Sequence, residues 1–246
     1  MTNPIINNVK DELTQNNILR VGINASNFLL VSSIDIEGVP FGIAPDLGRM
    51  FAEEIDAAPK FIVFETPGKL ADAGLEGAWD IAFVGNEPQR AKDIAFSAPY
   101  LEIPVTFLVR ENSPINSLSD IDQVGNRISV MGRSAYDLYL TATIKNATII
   151  RAQSIDESFE QFVSDELEVL GGLKPRLASD CKKIPGSRVL DGQITSVKQS
   201  AGTLPTYSTS AKYLHDFIER AKATGVIDNL INKYQVQGVF FVFPIL

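Results

Sequence analysis

Residues 79–100 read WDIAFVGNEPQRAKDIAFSAPY, and this segment decides the fold. Its apolar run at residues 81–84 predicts a short strand, which a polar turn with Gly85 and Asn86 follows at once. Arg90 comes directly after the turn. Glycine lets the backbone approach closely, and a guanidinium can hold a carboxylate through two parallel hydrogen bonds, so the pattern predicts an anion-binding turn built on Arg90. A surface arginine after an ordinary strand-to-helix turn would give the same pattern.

The composition is that of an acidic, globular chain. It has 246 residues, 45% of them hydrophobic, and a net charge of −8 at pH 7. The apolar content argues against disorder, and the negative charge argues against nucleic acids and anionic membranes as partners. Cys181 is the single cysteine, so neither an internal disulfide nor a cysteine-based metal cluster is expected. We expect no metal and no cofactor, and no segment approaches the roughly 20 apolar residues of a membrane span.

Short β-branched runs alternate with helical patterns, which is typical of an α/β fold with mostly parallel sheets. Strands are predicted over residues 20–24, 61–64, 81–84, 105–110, 127–131, 148–151, 167–170, 187–190 and 197–202. Helices are predicted over residues 44–55, 69–75, 134–144, 155–163, 174–183, 208–224 and 226–234.

The segment at residues 80–100 resembles a pattern of the amino-acid-type bacterial solute-binding proteins, the extracytoplasmic receptors of ABC importers. In that family an aspartate and two hydrophobic residues lead to a small polar turn, then T-x-E-R, then hydrophobic-x-F-S-x-P-Y. Other family landmarks occur in order: LRVGI at 19–23, GIAPDL at 42–47, LVRENSPI at 108–115, LSDI at 118–121, RISVMGRSA at 127–135, and KATGVID at 222–228 before Tyr234. Each motif is weak alone, but together their order and spacing are specific.

The resemblance implies a two-lobed, periplasmic-binding-protein-like fold of type II, in which each lobe is a mostly parallel sheet flanked by helices. It implies three segments: residues 1–17 as an N-terminal extension, residues 18–104 plus 198–246 as lobe 1, and residues 105–197 as lobe 2. Hinge crossovers would lie near residues 104–106 and 196–200. Closure of the lobes would bury the ligand and give a transporter its signal.

Open α/β sheets bind ligands at the carboxyl ends of their strands, so each predicted strand end is a candidate. Asn24 and Asn27 follow the first strand, where the family often has an aromatic residue and prolines as a platform for the ligand side chain. Their polarity indicates a smaller or more polar site, with Phe28 packed behind it. The alternative is an Asx-type turn that bonds its own backbone.

The turn after residues 127–131 opens a helix at Ser134 and Ala135. Free N–H groups and the helix dipole favour an anion at such a start, although Ser134 could equally cap the helix. By resemblance, this turn would hold the other side of the ligand carboxylate. Arg133 stands where the family has a glycine, which indicates either a second cation for a dianionic ligand or a side chain in solvent.

Gly172 and Lys174 follow the strand predicted at 167–170 and depart from the family, which places an aspartate here for the α-ammonium of its ligand. A buried ammonium without an anion is costly, so the departure favours a carboxylate, a dicarboxylate or another anion over an ordinary α-amino acid. Glu166, Glu168 or an acidic residue from elsewhere could still supply the missing charge. Gly172 could also mark a close approach of backbones.

The sequence therefore predicts a solute-binding protein, the substrate-binding component of an ABC transporter, that closes on a small anionic solute and has a permease as partner. Two alternatives stay open: a cytoplasmic ligand-binding or sensor relative, and a small-acid dehydratase on the same fold that would use Glu65, Glu87 or Glu102. The chain shows no placeable Ser/His/Asp set and no HExxH, Walker or GxGxxG signature, so we do not expect an enzyme.

The ends of the sequence leave the compartment and the oligomeric state open. Residues 1–17 have no basic start and no apolar run before a small-residue cleavage site, so no signal peptide is predicted. We expect a periplasmic protein if a leader was removed and a cytoplasmic one if Met1 is the native start. The apolar residues 239–246 are expected to pack on a core of the chain or on a second subunit, which would make a homodimer.

Overall fold

Strands and helices alternate along residues 4–243, the part of the chain that the computed structural model describes. The helices within this range are α1 Pro4–Leu13, α2 Ile43–Glu54, α3 Pro67–Leu75, α4 Ala135–Thr143, α5 Ile155–Ser164, α6 Lys174–Cys181, α7 Ser208–Ala223 and α8 Val226–Lys233. The strands are β1 Ile18–Asn24, β2 Ser33–Ile34, β3 Pro40–Phe41, β4 Ala58–Phe64, β5 Ile81–Gly85, β6 Ala95–Phe96, β7 Leu101–Arg110, β8 Arg127–Met131, β9 Thr148–Ala152, β10 Val169–Leu173, β11 Ser187–Val189, β12 Thr195–Thr203 and β13 Phe240–Phe241.

The described residues form two units, each built on its own group of paired strands. The first holds residues 4–102, 198–237 and 241–243, and the second holds residues 103–197 and 238–240. The chain thus passes from the first unit to the second within β7 and returns within β12.

The sheet of the first unit has the strand order β4-β1-β5-β12. β1 pairs in parallel with β4 and β5, and β12 runs antiparallel to β5. Leu19, Val21 and Ile23 of β1 are fully buried, and helices α2 and α3 pack against this strand. The register places Ile23 beside Phe83, so β1 and β5 end at the same edge of the sheet.

The sheet of the second unit has the strand order β7-β10-β8-β9. β10, β8 and β9 are parallel, and β7 runs antiparallel to β10. Helices α5 and α6 pack on this sheet around a core that contains Leu108, Phe162, Leu167, Leu170 and Leu177. Because α4, α5 and α6 follow β8, β9 and β10 directly, all three helices begin at the carboxyl edge of the parallel strands.

The predicted α/β class, with mostly parallel sheets flanked by helices, is confirmed. Most predicted elements lie within a few residues of their observed bounds, and β8 matches residues 127–131. None of the helices described between residues 4 and 243 is long and apolar enough to cross a membrane.

Strand β10 runs to Leu173, three residues beyond its predicted end. Gly171 and Gly172 therefore lie inside a buried strand that pairs with β7 and not after its end, as predicted. The structure agrees with the alternative that the sequence left open, a close approach of backbones. A Cβ at Gly171 would stand 3.0 Å from Val130 Cγ1 and 3.3 Å from Phe107 Cε1. The glycines serve close packing between strands, which a glycine pair in a sequence does not distinguish from a turn.

Helix α1 lies where the sequence predicts only an extension. Val9 and Leu13 are buried, and the Glu12 carboxylate accepts from the Ser210 amide at 2.9 Å and from Ser210 Oγ at 2.6 Å. Ser210 belongs to α7, so α1 is a packed part of the first unit.

The apolar C-terminal segment is described as far as Phe243. The Val242 amide donates to the Tyr100 carbonyl at 3.5 Å, and Lys222 Nζ donates to the Phe243 carbonyl at 3.3 Å. These contacts lie within the first unit. The last three residues of the predicted segment, 244–246, lie outside the described residues, and the homodimer stays a prediction.

Candidate functional site

Polar residues of the first unit collect at the carboxyl edge of its sheet. β1 ends at Asn24 and β5 ends at Gly85, and the parallel register places the two ends side by side. β12 brings Lys198 to the same edge, where the Asn86 amide donates to the Lys198 carbonyl at 2.7 Å. The predicted residues Asn24, Gly85 and Asn86 are therefore neighbours at one edge.

Arg90 opens a short 3-10 helix, Arg90–Lys92, after the turn that follows β5. The residue is only 6% exposed, and its Nη1 donates to the Gly85 carbonyl at 2.9 Å. This bond holds the guanidinium at the end of β5. A desolvated guanidinium is a strong partner for a carboxylate, because charge-assisted hydrogen bonds gain strength where water is excluded.

Glu87 lies on the same turn, and its side chain is half-buried. Burial raises the pKa of Glu87 to about 7, although the charges of Arg90 and Lys198 act in the opposite direction. Within residues 4–243, no residue forms a hydrogen bond or an ion pair with its carboxylate. The sequence offers Glu87 only as a catalytic carboxylate of a dehydratase. Its partial desolvation depends on tertiary packing and has no signal in the sequence.

The turn after β1 is largely bonded to itself. Asn24 Oδ1 accepts from Ser26 Oγ at 2.7 Å and from the Ser26 amide at 3.3 Å, which is the Asx-type alternative. Asn27 is 7% exposed, and no donor within the described chain reaches its buried Oδ1. Phe28 is 41% exposed, so the expectation that it packs behind the turn was wrong; the adjacent Leu29 is the buried residue.

In the second unit, α4 is capped from within its own first turn. Ser134 is 2% exposed, and its Oγ accepts from the Asp137 amide at 3.1 Å, which is the capping alternative. The buried Asp137 carboxylate accepts from the Arg133 amide at 2.7 Å and pairs with Arg151 at 2.9 Å. A carboxylate of the protein thus already lies at the positive end of this helix. The amides of Ala135 and Tyr136 in its first turn have no intrahelical acceptor.

Arg133 itself has a φ of 60° and an exposed side chain. This left-handed conformation is the one that favours glycine, which accounts for the glycine that the family pattern has here. The side chain leaves the turn at the carboxyl edge of the second sheet, so both predicted roles, a cation for the ligand and a solvated side chain, stay open.

Lys174 is the first residue of α6 and follows β10 directly, at the same carboxyl edge. Its Nζ lies 3.4 Å from the Gly192 carbonyl. Gly172 differs from its predicted position, because it lies within the ladder between β10 and β7 instead of in a loop.

Glu166 and Glu168 lie at the opposite end of β10. The Glu168 carboxylate pairs with Arg127 at 2.8 Å, at the start of β8. A five-residue strand spans roughly 16 Å, so neither glutamate can supply a negative charge beside Lys174. Of the sources that the sequence left open for a negative charge here, only an acidic residue from elsewhere remains.

A small cavity behind the strand ends of the second unit was not predicted. Its lining includes Tyr136, Ser158, Leu173, Arg176 and Asp180. Burial raises the pKa of Tyr136 to about 12, and Arg176 pairs with Asp180 at 2.7 Å and with Asp156 at 2.6 Å. These groups are neutral or paired, so the cavity is a structural feature of the unit.

Groups that could support catalysis are mostly engaged. Glu65 pairs with Lys69 at 2.5 Å on the surface, and His215 Nδ1 accepts from the Ala98 amide at 3.2 Å. Within residues 4–243, no cluster of three or more His, Cys, Asp or Glu side chains could hold a metal ion.

Each unit is thus a mostly parallel group of strands whose carboxyl ends carry polar turns and charged groups, which is the place where α/β proteins commonly bind ligands. Residues 19–237 match the bacterial extracellular solute-binding proteins, family 3, and the chain belongs to this family. The predicted family is confirmed.

Solved structures share the fold. A mutant of ArgBP from T. maritima is 19% identical, with a TM-score of 0.75 over 94% of this chain and 99% of its own. An ancestral amino acid-binding protein, a precursor of cyclohexadienyl dehydratase, is 22% identical, with a TM-score of 0.75 over 91% and 97%. The cysteine-binding protein from Campylobacter jejuni is 16% identical, with a TM-score of 0.75 over 93% and 92%. At these identities the likeness shows the fold alone, which is the predicted type II periplasmic-binding-protein fold.

Proposed function

We propose that this chain is the solute-binding component of an ABC importer and that it binds its solute through a carboxylate group. Its family supports the class of function. The observation that carries the carboxylate is Arg90, a buried guanidinium that the Gly85 carbonyl holds at the carboxyl end of β5. Asn86 follows the same strand end and Asn27 follows the end of the paired strand β1, and we include both among the polar groups of the site.

The second unit offers a separate set of groups at its own strand ends. These are the Ala135 amide at the start of α4, the Arg133 side chain and Lys174. Because Asp137 already balances the positive end of α4, we expect this set to contribute less to carboxylate binding than Arg90 does. Closure of the two units around the solute, and a permease as partner, belong to the proposal.

We propose a binding protein and not an enzyme. One structural relative is described as a precursor of a dehydratase, and Glu87 is the partly desolvated carboxylate that such chemistry would need here. The two readings differ in the fate of the ligand. Mass spectrometry should recover the bound solute unchanged after prolonged incubation with the protein, whereas a dehydrated product would contradict the proposal.

The experiment that tests the site is a thermal-shift screen against amino acids, mono- and dicarboxylates, and phosphorylated or sulfonated anions, followed by calorimetry on Arg90→Ala. A ligand at a hundred times its dissociation constant adds about 2.7 kcal/mol and raises the melting temperature by several degrees. Arg90→Ala should weaken a carboxylate ligand at least about tenfold, since a hydrogen bond to a charged group contributes about 1.5–3 kcal/mol.

Lys92→Ala is the matched control, because it removes the same charge from the exposed side of the same short helix. It should leave the affinity unchanged. If Arg90→Ala folds and binds within about threefold of the wild type, the carboxylate does not sit on Arg90 and the proposed site is wrong.

A further inference from the structure

The apolar C-terminal segment is anchored to the first unit by the last residues that the structure describes. The Val242 amide donates to the Tyr100 carbonyl at 3.5 Å. Lys222 Nζ, on a fully buried side chain, donates at 3.3 Å both to the Phe243 carbonyl and to the Pro99 carbonyl. The side chain of Phe243 is 79% exposed, so the segment is held through its backbone and not by burial of this ring.

This anchor lies close to the candidate carboxylate site. The Tyr100 amide donates to the Gln199 carbonyl at 2.9 Å, and Gln199 is paired with Gly85 at the end of β5. The Gly85 carbonyl in turn accepts from Arg90 Nη1 at 2.9 Å. All these residues belong to the first unit. Three neighbouring backbone segments thus separate Val242 from Gly85, and at about 4.8 Å for each the distance is roughly 14 Å.

The chain that follows Val242 is long enough to cover this distance. Residues 243–246 span up to roughly 14 Å when they are extended, at about 3.5 Å each. Phe243 precedes Pro244, and the residue before a proline avoids the helical conformation, which favours an extended path. The side chains after Phe243 carry no charge, so the anion of this segment in the 246-residue chain is the α-carboxylate of Leu246.

We infer that in the solute-free chain the α-carboxylate of Leu246 binds Arg90, so that the C-terminal segment competes with the solute for its own site. Arg90 is 6% exposed, and a guanidinium removed from water is a strong partner for a carboxylate. The inference rests on the proposed function of Arg90 and adds a regulation of that site. Residues 238–246 lie outside residues 19–237, which match the family, so this segment is not part of the matched pattern.

The tether makes a weak carboxylate an effective competitor. A group on a short flexible linker has an effective concentration of about 1 mM or more at the site that it can reach. The apparent dissociation constant of the solute rises as the inverse of the fraction of molecules in which the site is open. If the segment occupies Arg90 in about nine molecules of ten, the solute binds about tenfold more weakly.

Two changes at the chain end test the competition without altering Arg90. A C-terminal amide, made by semisynthesis, removes the charge and keeps the sequence. A Gly-Ser-Gly extension after Leu246 keeps a carboxylate but moves it by up to about 10 Å. Calorimetry with the amino acids and the mono- and dicarboxylates of the thermal-shift screen should show about three- to tenfold tighter binding to both altered chains than to the 246-residue chain.

A second measurement needs no solute. The NMR signal of Arg90 Nε–H, identified by its absence in Arg90→Ala, should shift when the C-terminal amide replaces the carboxylate. The Nε–H signals of Arg20 and Arg127 are internal controls, because these residues pair with Asp80 and Glu168. Both signals should stay in place. The shift of the Arg90 signal should also occur in Lys92→Ala, which changes the exposed side of the same short helix.

The outcomes separate this inference from the proposed function. If the amide changes neither the Arg90 signal nor the affinity, while Arg90→Ala weakens carboxylate binding, the site stands and the competition is overturned. If the Arg90 signal shifts but no carboxylate of the screen binds to the amidated chain, Arg90 is only a structural partner of the chain end, and both proposals are overturned. A shifted signal together with tighter carboxylate binding supports both.

Discussion

Replacing Glu87 with glutamine is expected to stabilise the ligand-free protein at neutral and alkaline pH. The unfolded chain releases the Glu87 proton near the ordinary pKa of 4.5, whereas the folded protein keeps it up to a pKa of about 7. The wild type therefore loses stability as the pH rises from 4.5 through 7. Glutamine resembles the protonated acid in shape and does not titrate, so the variant does not share this loss.

The magnitude follows from the two pKa values. One unit corresponds to about 1.4 kcal/mol, so a fully buried group would lose about 3.4 kcal/mol of stability over this range. The Glu87 side chain is only half-buried, and solvent screening reduces the effect. The quantity to compare is the free energy of unfolding of Glu87→Gln minus that of the wild type. We expect this difference to be about 1–2 kcal/mol larger at pH 8 than at pH 4.5.

Urea unfolding of the ligand-free proteins at a series of pH values measures this difference. Glu65→Gln is the control, because the hydrogen bond from Lys69 lowers the pKa of Glu65 and the pair is exposed. Its difference from the wild type should be small and of opposite sign, since Glu65 stabilises the fold only above its ordinary pKa. A difference between Glu87→Gln and the wild type that stays constant from pH 4.5 to pH 8, or that shrinks, would refute the desolvated environment assigned to Glu87.

Two further substitutions test packing and charge in the first unit. Gly74→Ala should lower the melting temperature and reduce the free energy of unfolding by about 1–3 kcal/mol, because the new Cβ would stand 2.3 Å from Trp79 Cζ2 in the core. Leu75→Ala, at an exposed position, is the control. Equal melting temperatures of the two variants would contradict the packing. Asp46→Asn should cost about 1–2 kcal/mol at pH 7 in urea unfolding. Burial raises the pKa of Asp46, but hydrogen bonds from Lys233 and Tyr234 outweigh this effect and hold the pKa below the ordinary 3.8. The stability that the wild type has over Asp46→Asn should therefore be lost as the pH falls through the acid range. A stability difference that persists at low pH would contradict the assignment.

The sequence predicts elements whose signals are local. Strand β8 is found at its predicted bounds because RISVM is apolar and extended and is bounded by polar residues and glycine on either side. Helix α1 also has a local signal, since its buried residues Val9 and Leu13 stand at helical spacing, and the prediction of a mere extension missed it. Its contacts with α7, such as Glu12 with Ser210, join residues that lie far apart in sequence. The end of β10 was misplaced because the packing that requires Gly171 involves side chains from other strands.

The candidate site also contains both kinds of residue, those with a local sequence signal and those whose surroundings depend on distant contacts. Arg90 could be predicted because the strand, the turn and the arginine are consecutive, and the structure places it at the end of β5. The environment of Glu87 could not, because Lys198 reaches that edge only through the pairing of β12 with β5. The ion pair between Asp137 and Arg151 could not be predicted either. The Asp137 carboxylate reduces the positive electrostatic potential that the start of α4 offers to a ligand.

The strand ends of the two units differ in the charges that they carry. In the second unit the carboxylate of Asp137 is committed to Arg151, and Lys174 would repel a cation at the end of β10. In the first unit, Glu87 and Arg90 present both signs of charge on one turn. The position of Arg90 at the end of β5, and not the net charge of the chain, is therefore what we expect to decide the affinity for a carboxylate.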